Sequence, residues 1–224
     1  MPRSSPDMPM YRPVADHALL VEFGTTISDD THAAVLALDA ALTAEPFKGY
    51  REAVPAFVNL LVTFDPALTD HAEVEDHLRA LTIMQTTQTQ TQREVLICYD
   101  NAPDLAEVAL RTCLTEEAVI AAHLSGEYKV FLYGFAPGYA YLGGLPDALR
   151  LDRKPTPVRN VPAGSVIIAG SQCLVTTLTM PTGWWIIGRS PTRILTGDAT
   201  RPFLFDVGDR VTFRRIPPDH TAFK

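Results

Sequence analysis

Between Lys129 and Gln172 the chain concentrates residue types that hold a ligand rather than attack one. Phe131–Pro146 packs four glycines and two prolines among aromatics, with no acid or base between them. Glycine serves where the backbone takes positive φ or another group comes close; proline fixes φ and withholds a donor. Set among Phe135, Pro137, Tyr139 and Tyr141, they make either a rigid aromatic-walled binding surface or a loop-rich barrel corner whose rings fill the core. Arg159 and Arg189 lie near turn prolines, where a guanidinium fork reads a carboxylate bidentately or forms a rim salt bridge. Gln172 reads an amide by donating and accepting at once. Trp184 and Trp185 alternate on a predicted strand, so at most one lines a groove. His123 ends a helix, where it either serves the helix terminus or faces a ligand.

No catalytic machinery complete in itself accompanies these groups. The sequence has no GxxxxGK[ST] stretch to cradle a nucleotide's phosphates, no GxGxxG after a strand and no GxSxG elbow. Its six histidines are scattered without HxxxH spacing, so no metal-ligand set is visible. Ser165, in Pro162-Ala163-Gly164-Ser165, has no base near it in sequence and reads as a turn serine. The pattern is a neutral and cationic binding groove without a general acid–base pair.

Two runs of elements position these residues. In the first, Ala18–Phe23 is a short buried strand, and Ser28, Asp29 and Asp30 cap and charge the start of a helix carrying Val35, Leu38 and Leu42 inward. Arg51–Val54 and Asn59–Phe64 read as paired strands, and a second helix runs from about Asp70 to Leu81. This order is that of a small α+β sandwich, with room for one more strand. Met84–Gln92, reading MQTTQTQTQ, is a linker or a polar edge strand, with the linker favoured. Beyond it come a strand at Glu94–Tyr99, a helix at Asp104–Arg111 and a helix capped by Thr115. From Tyr128 onward short apolar runs alternate with Gly/Pro turns, the pattern of a closed or nearly closed β-barrel. The expected division is a flexible tail over residues 1–13, an α+β domain over 14–84, a linker over 85–92 and a barrel domain over 93–224.

The 224 residues, 46% apolar and 20% charged, suffice for a real core. A formal charge of −7, with no basic stripe, argues against nucleic-acid and anionic-membrane partners. The densest basic patch, Arg150, Arg153, Lys154 and Arg159, meets an anionic ligand or balances nearby acids. Three cysteines without CxxC spacing exclude a full disulfide framework and argue against a zinc site. No apolar run reaches membrane-spanning length, and the first residues lack the apolar core of a signal peptide. A cytoplasmic, soluble protein is expected.

Several separated motifs, taken in order, resemble one family. GFAPGYAYLGGLP (134–146), VPAGSVIIAG (161–170) with Gln172, and GWWIIGRSP (183–191) are similar to the KipI-type family, also called allophanate hydrolase subunit 1 and the B subunit of 5-oxoprolinase. ALLVEFG, VLALDAAL, Val54-Pro55 and LLVTFDP extend the likeness, which covers Asp16 to Ile216. The resemblance implies a small α+β N-terminal domain followed by a cyclophilin-like β-barrel domain. It also implies two partners, a C subunit (allophanate hydrolase subunit 2-like) and an A subunit, which together with the B subunit convert 5-oxo-L-proline to L-glutamate using ATP. The ATP would be bound by the complex rather than by a motif in this chain. The substrate would be a small amide or lactam, read by Phe135, Pro137, Tyr141, Arg159, Gln172, Trp184, Arg189 and His123, with no metal. Similar domains form the carboxyltransferase part of biotin-dependent urea carboxylase, and other members inhibit a histidine kinase. This sequence departs from the family where Gln-Thr-Gly-Ile-Tyr-Pro becomes Gln172-Cys173-Leu174-Val175-Thr176, and where a Gly-Gly-Trp becomes Thr182-Gly183-Trp184. The added thiol and lost glycine are expected to reshape the groove.

Overall fold

The computed structural model describes residues 9–81 and 91–223, and the chain divides into two compact units, Met1–Gln88 and Thr89–Lys224. The expected tail up to residue 8 and the linker over 85–90 lie outside the described residues.

The first unit contains β1 (Met10–Val14), β2 (Ala18–Glu22), α1 (Asp29–Ala44), β3 (Tyr50–Pro55), β4 (Asn59–Phe64) and α2 (His71–Ala80). Its antiparallel sheet runs β1-β2-β4-β3. Both helices start where a side chain satisfies an orphan backbone donor. The Ser28 hydroxyl accepts from the Thr31 N–H at 3.1 Å, and the Asp70 carboxylate from the Glu73 N–H at 3.0 Å. Period-two alternation in β2 and β4 sends Leu19, Val21, Leu60, Val62 and Phe64 to one face. There they bury against Val35, Leu38 and Leu42 of α1 and Val74 and Leu78 of α2. β1 corrects the expected tail: residues 10–13 pair with β2 instead of trailing free. Nearly every side chain of this edge strand is exposed, so it has no apolar alternation to betray it, and Pro13 is tolerated at an edge.

The second unit contains β5 (Gln92–Ile97), α3 (Leu105–Thr112), α4 (Glu116–Leu124), β6 (Tyr128–Tyr133), β7 (Ala140–Gly143), β8 (Val158–Val161), β9 (Ser165–Ala169), β10 (Gln172–Val175), β11 (Met180–Thr182), β12 (Trp185–Arg189) and β13 (Arg210–Arg215). β5 takes in Gln92, which the expected linker had claimed, because its partner β13 pairs in parallel from Gln92 onward. Seven strands form one sheet in the order β12-β9-β10-β7-β6-β13-β5. Its two edge strands meet where Cys98 and Arg189 exchange reciprocal backbone hydrogen bonds of 2.8 Å, so the sheet curls into a nearly closed barrel. The α+β architecture ending in a barrel is the one expected. Val95, Val130, Val166, Ile168, Ile187 and Val211 fill the interior, with Leu105, Val108, Val119 and Ile120 of α3 and α4 packed into the same core. A ribbon of β8 and β11 covers part of the outer face through Val161 and Met180, which explains why every residue of β9 is buried. Gly143 and Gly144 are required by close approach. A Cβ on Gly143 would enter the Phe131 ring, and one on Gly144, at φ +99°, would collide with the Glu127 carbonyl. Among the described residues, no helix is long and apolar enough to cross a membrane.

The barrel core contains one polar knot. His123 is fully buried, its Nδ1 2.7 Å from the Tyr99 hydroxyl and its Nε2 3.4 Å from Cys173 Sγ. A neutral ring protonated at Nε2 accepts from the tyrosine and donates to the thiol. Tyr128 donates its hydroxyl to the His123 carbonyl at 2.9 Å, and the Phe213 ring packs tilted against the imidazole at 4.6 Å between centroids. Burial pushes the imidazole down from 6.5 to about 3 and pushes the Cys173 thiol up.

Two outcomes follow from this packing. Ile168→Ala, at a fully buried position, should lower unfolding free energy by about 2–5 kcal/mol. Leu110→Ala, at a position 72% exposed, should change it by less than about 0.5 kcal/mol; urea titration followed by tryptophan fluorescence measures both. The unfolded chain protonates His123 near pH 6.5, whereas the folded one resists until about pH 3. The contribution of His123 is therefore fully present above pH 6.5 and is lost as pH falls towards 3, by about 1.4 kcal/mol per unit. Unfolding curves across that range should show a shallower acid slope for Tyr99→Phe/His123→Leu than for the unaltered chain.

Candidate functional site

The Gly134–Tyr139 turn is built under strain. Phe135 sits at φ +68°, and the Ala136 N–H donates to the Gly134 carbonyl at 2.8 Å, closing a three-residue γ-turn of the rare positive-φ kind. A bulky side chain at positive φ persists only where its surroundings over-determine it. Here the Pro137 carbonyl accepts the Thr177 hydroxyl at 2.6 Å. Gly138 lies so close to Leu195 and Thr177 that a Cβ would come within 2.8 and 3.0 Å of them. The Phe135 ring is left 73% exposed, resting on Tyr139 at 5.6 Å between centroids.

A second turn meets the same segments. Gly164, at φ +82°, donates its N–H to the Thr176 carbonyl at 2.6 Å and accepts the Ser190 N–H at 2.7 Å. The Ser165 and Thr176 hydroxyls both donate to the Pro162 carbonyl at 2.8 Å, so Ser165 is a committed turn serine. The chain leaving β12 then folds on itself. The Ser190 hydroxyl accepts the Thr192 N–H at 3.1 Å, and the Thr192 hydroxyl accepts the Leu96 N–H at 3.0 Å. Together these segments enclose a cleft of about 230 Å³ lined by residues 163–164, 176–177 and 190–195. Its only ionisable side chain is Arg193, which has no ion pair among the described residues. Such a lining suits binding and orientation; it supplies neither a general base nor an activated nucleophile. A second cavity of about 290 Å³ lies against Tyr133, Phe203 and Phe205, with Arg201 and Asp206 paired at its edge at 3.1 Å.

The eight residues expected to share one groove are not gathered into one. Tyr141 and Trp184 meet edge to face at 5.9 Å on the outer wall of the barrel, with Arg153 over the indole at 5.9 Å. Gln172 is on that wall too, flanked in register by Ala169 and Gly143. Phe135 and Pro137 are on the strained turn that buttresses the cleft. Arg189 lies over the Phe223 ring at 5.1 Å. Arg159 projects exposed from the β8–β11 ribbon. His123 is in the core and reaches no surface, because the helix end it occupies packs inward. Neither cavity is lined by any of the eight. Cys173 also points into the core, so the expected reshaping of a groove by its thiol does not arise. The tryptophans do separate: Trp184 belongs to the outer cluster and Trp185 to the interior one, where its Nε1–H donates to the Asp152 carbonyl at 2.8 Å.

The basic patch divides as well. Arg150 pairs with Asp147 at 2.7 Å and the nearly buried Lys154 with Asp104, leaving Arg153 and Arg159 without acidic partners among the described residues. Asp104 stands at the start of α3 as expected, but its carboxylate accepts the Ile186 N–H at 2.6 Å instead of capping the helix. Of the polar residues that line the cleft, Ser190, Thr192 and Arg193 are not among those the sequence singles out as site residues. Their one signal is position, directly after or at the end of the Gly183–Pro191 motif.

Comparison with known proteins places this architecture. The family model described as carboxyltransferase domain, subdomain C and D, matches residues 9–205. The chain is 34% identical to the 5-oxoprolinase B subunit of Bacillus subtilis (strain 168), covering 94% of this chain and 95% of that one. The crystal structure of TTHA0988 superposes on 92% of this chain with a TM-score of 0.80 and 35% identity, and the match spans 40% of that longer chain. The K. lactis urea amidolyase, at 16% identity, shares the fold over 97% of this chain and 15% of its own, with a TM-score of 0.77. The motifs, the barrel and these matches agree: the chain belongs to the family of carboxyltransferase domains, subdomain C and D.

Proposed function

We propose that this chain is the B subunit of a 5-oxoprolinase-type complex, acting with a C subunit (allophanate hydrolase subunit 2-like) and an A subunit to convert 5-oxo-L-proline to L-glutamate. The observation that carries this reading is likeness to a 5-oxoprolinase B subunit over almost the whole of both chains. The cleft supports it chemically. It offers a guanidinium and hydroxyls for a small polar substrate but no acid–base pair, as suits a chain whose chemistry is completed by a partner. A lactam is a stable amide, and ATP serves such a reaction by turning the carbonyl oxygen into a leaving group. The cleft itself does not fit ATP, having one cation, no carboxylate for a magnesium ion and too little volume, so the nucleotide is assigned to a partner in the complex.

The family description favours a second reading, a carboxyltransferase component in a biotin-dependent system resembling urea carboxylase. The two separate in one reconstitution. The purified chain, mixed with its A-type and C-type partners, should form ADP and L-glutamate only when 5-oxo-L-proline is present. Omitting this chain should reduce the rate to background. Complete mixtures that leave 5-oxo-L-proline intact, yet discharge carboxybiotin onto urea or a related amide, would establish the second reading instead.

A further inference from the structure

We infer that the cleft between Gly164, Thr177 and the 190–195 segment is a carboxylate-binding site, with Arg193 as the group that reads the anion. The hydrogen-bond donors of the lining divide into spent and unspent ones. Two of the four hydroxyls in the lining have already committed their protons, Thr176 to the Pro162 carbonyl and Thr177 to the Pro137 carbonyl. The other two are held in place as acceptors. Ser190 receives the Thr192 N–H and Thr192 the Leu96 N–H, so each keeps a proton with no acceptor among the described residues. Arg193 adds a guanidinium without an ion pair. Three uncommitted donors thus fall within four residues, and no acidic side chain lines the cleft to answer them. The complement of such a surface is an anion, and a planar fork flanked by hydroxyls suits a carboxylate.

Size and charge narrow the ligand further. The cleft holds about 230 Å³, below the ~300–1,000 Å³ of sites for drug-sized ligands. One cation matches a monoanion better than phosphate. Pro191 and Leu195 supply apolar wall on which a small aliphatic ring can rest. The facing wall is fixed: Thr177 and Leu195 are clamped by the strained Gly134–Tyr139 turn, and backbone N–H groups hold the Ser190 and Thr192 hydroxyls, so these two donors are positioned before any ligand arrives. Identifying this carboxylate with that of 5-oxo-L-proline rests on the proposed function; the site itself does not.

Calorimetric titration of the full chain tests both and keeps them apart. The probes are 5-oxo-L-proline, cyclopentanecarboxylate (the acid without the lactam), 2-pyrrolidinone (the lactam without the acid) and inorganic phosphate. Both acids should bind, and the neutral lactam and phosphate should bind at least about tenfold more weakly. Arg193→Ala should weaken the acids by about 10–100-fold. Arg193→Lys should restore part of that loss. Arg214→Ala, which removes an exposed arginine paired with Glu94, should bind like the unaltered chain, and matching melting curves exclude misfolding. Acid binding unaffected by Arg193→Ala, equal affinity for 2-pyrrolidinone or phosphate, or no acid binding at tens of millimolar would each overturn the site. Cyclopentanecarboxylate binding without 5-oxo-L-proline binding would uphold the site and count against the 5-oxoprolinase reading.

Discussion

Gly164 joins the pieces from which the cleft is made. Its N–H reaches the end of β10 through Thr176 and its carbonyl receives Ser190 just past β12, so one residue couples three stretches far apart in sequence. At φ +82° only glycine takes this backbone without strain, and a Cβ would lie 2.6 Å from the Ser190 carbonyl oxygen. The hydroxyls of Ser165 and Thr176 both close on Pro162 and hold the turn in shape. The positions of Ser190 and Thr192 are set by this junction and by the Leu96 N–H on the neighbouring strand, and Arg193 follows them in the chain.

Closure of the barrel supplies the frame. Cys98 and Arg189 exchange backbone hydrogen bonds where the sheet's first and last strands meet, satisfying groups that an open edge would leave exposed. That single bridge places the end of β12 beside β5, and so brings the Ser190–Leu195 segment to the cleft. Asp104 adds a tie from the start of α3, accepting the Ile186 N–H and pairing with Lys154. With both charged groups mostly buried, losing either would strand the other, which costs more than the pair contributes.

Polar groups divide by location into structural and available ones. His123, Tyr99, Tyr128 and Cys173 satisfy one another inside the barrel and meet no solvent. Desolvation keeps the imidazole neutral and the thiol protonated at ordinary pH. Arg153, Arg159, Arg189 and Arg193 lie at the surface without acidic partners among the described residues, and of the four it is Arg193 that lines the cleft. A histidine and a cysteine side by side in a core are thus part of the packing, while a single rim arginine is left open to the cleft.

Much of the local structure was legible in the sequence because it is governed by local rules. Ser28 and Thr115 start their helices as caps, the second helix begins at Asp70, Asn59–Phe64 alternates as a half-buried strand, and the two tryptophans part to opposite faces because a strand has period two. The ordered Gly/Pro motifs marked the family and the barrel. What composition and spacing left undecided was decided by tertiary contacts. β1 has almost no buried face to announce it. His123, at a helix end, reads as serving the terminus or facing a ligand, and only the packing against Tyr99 and Phe213 places it in the core. Arg159, Gln172 and Arg189 are separated by register and loop path, quantities that residue types do not encode. Arg193 becomes a candidate only when barrel closure sets it beside a turn nearly thirty residues away. The sequence by itself therefore determined the elements, the fold class and the family, since these follow from periodicity, capping and motif order. Only the tertiary structure decided which donors were already satisfied and which faced the cleft, because that depends on partners distant along the chain.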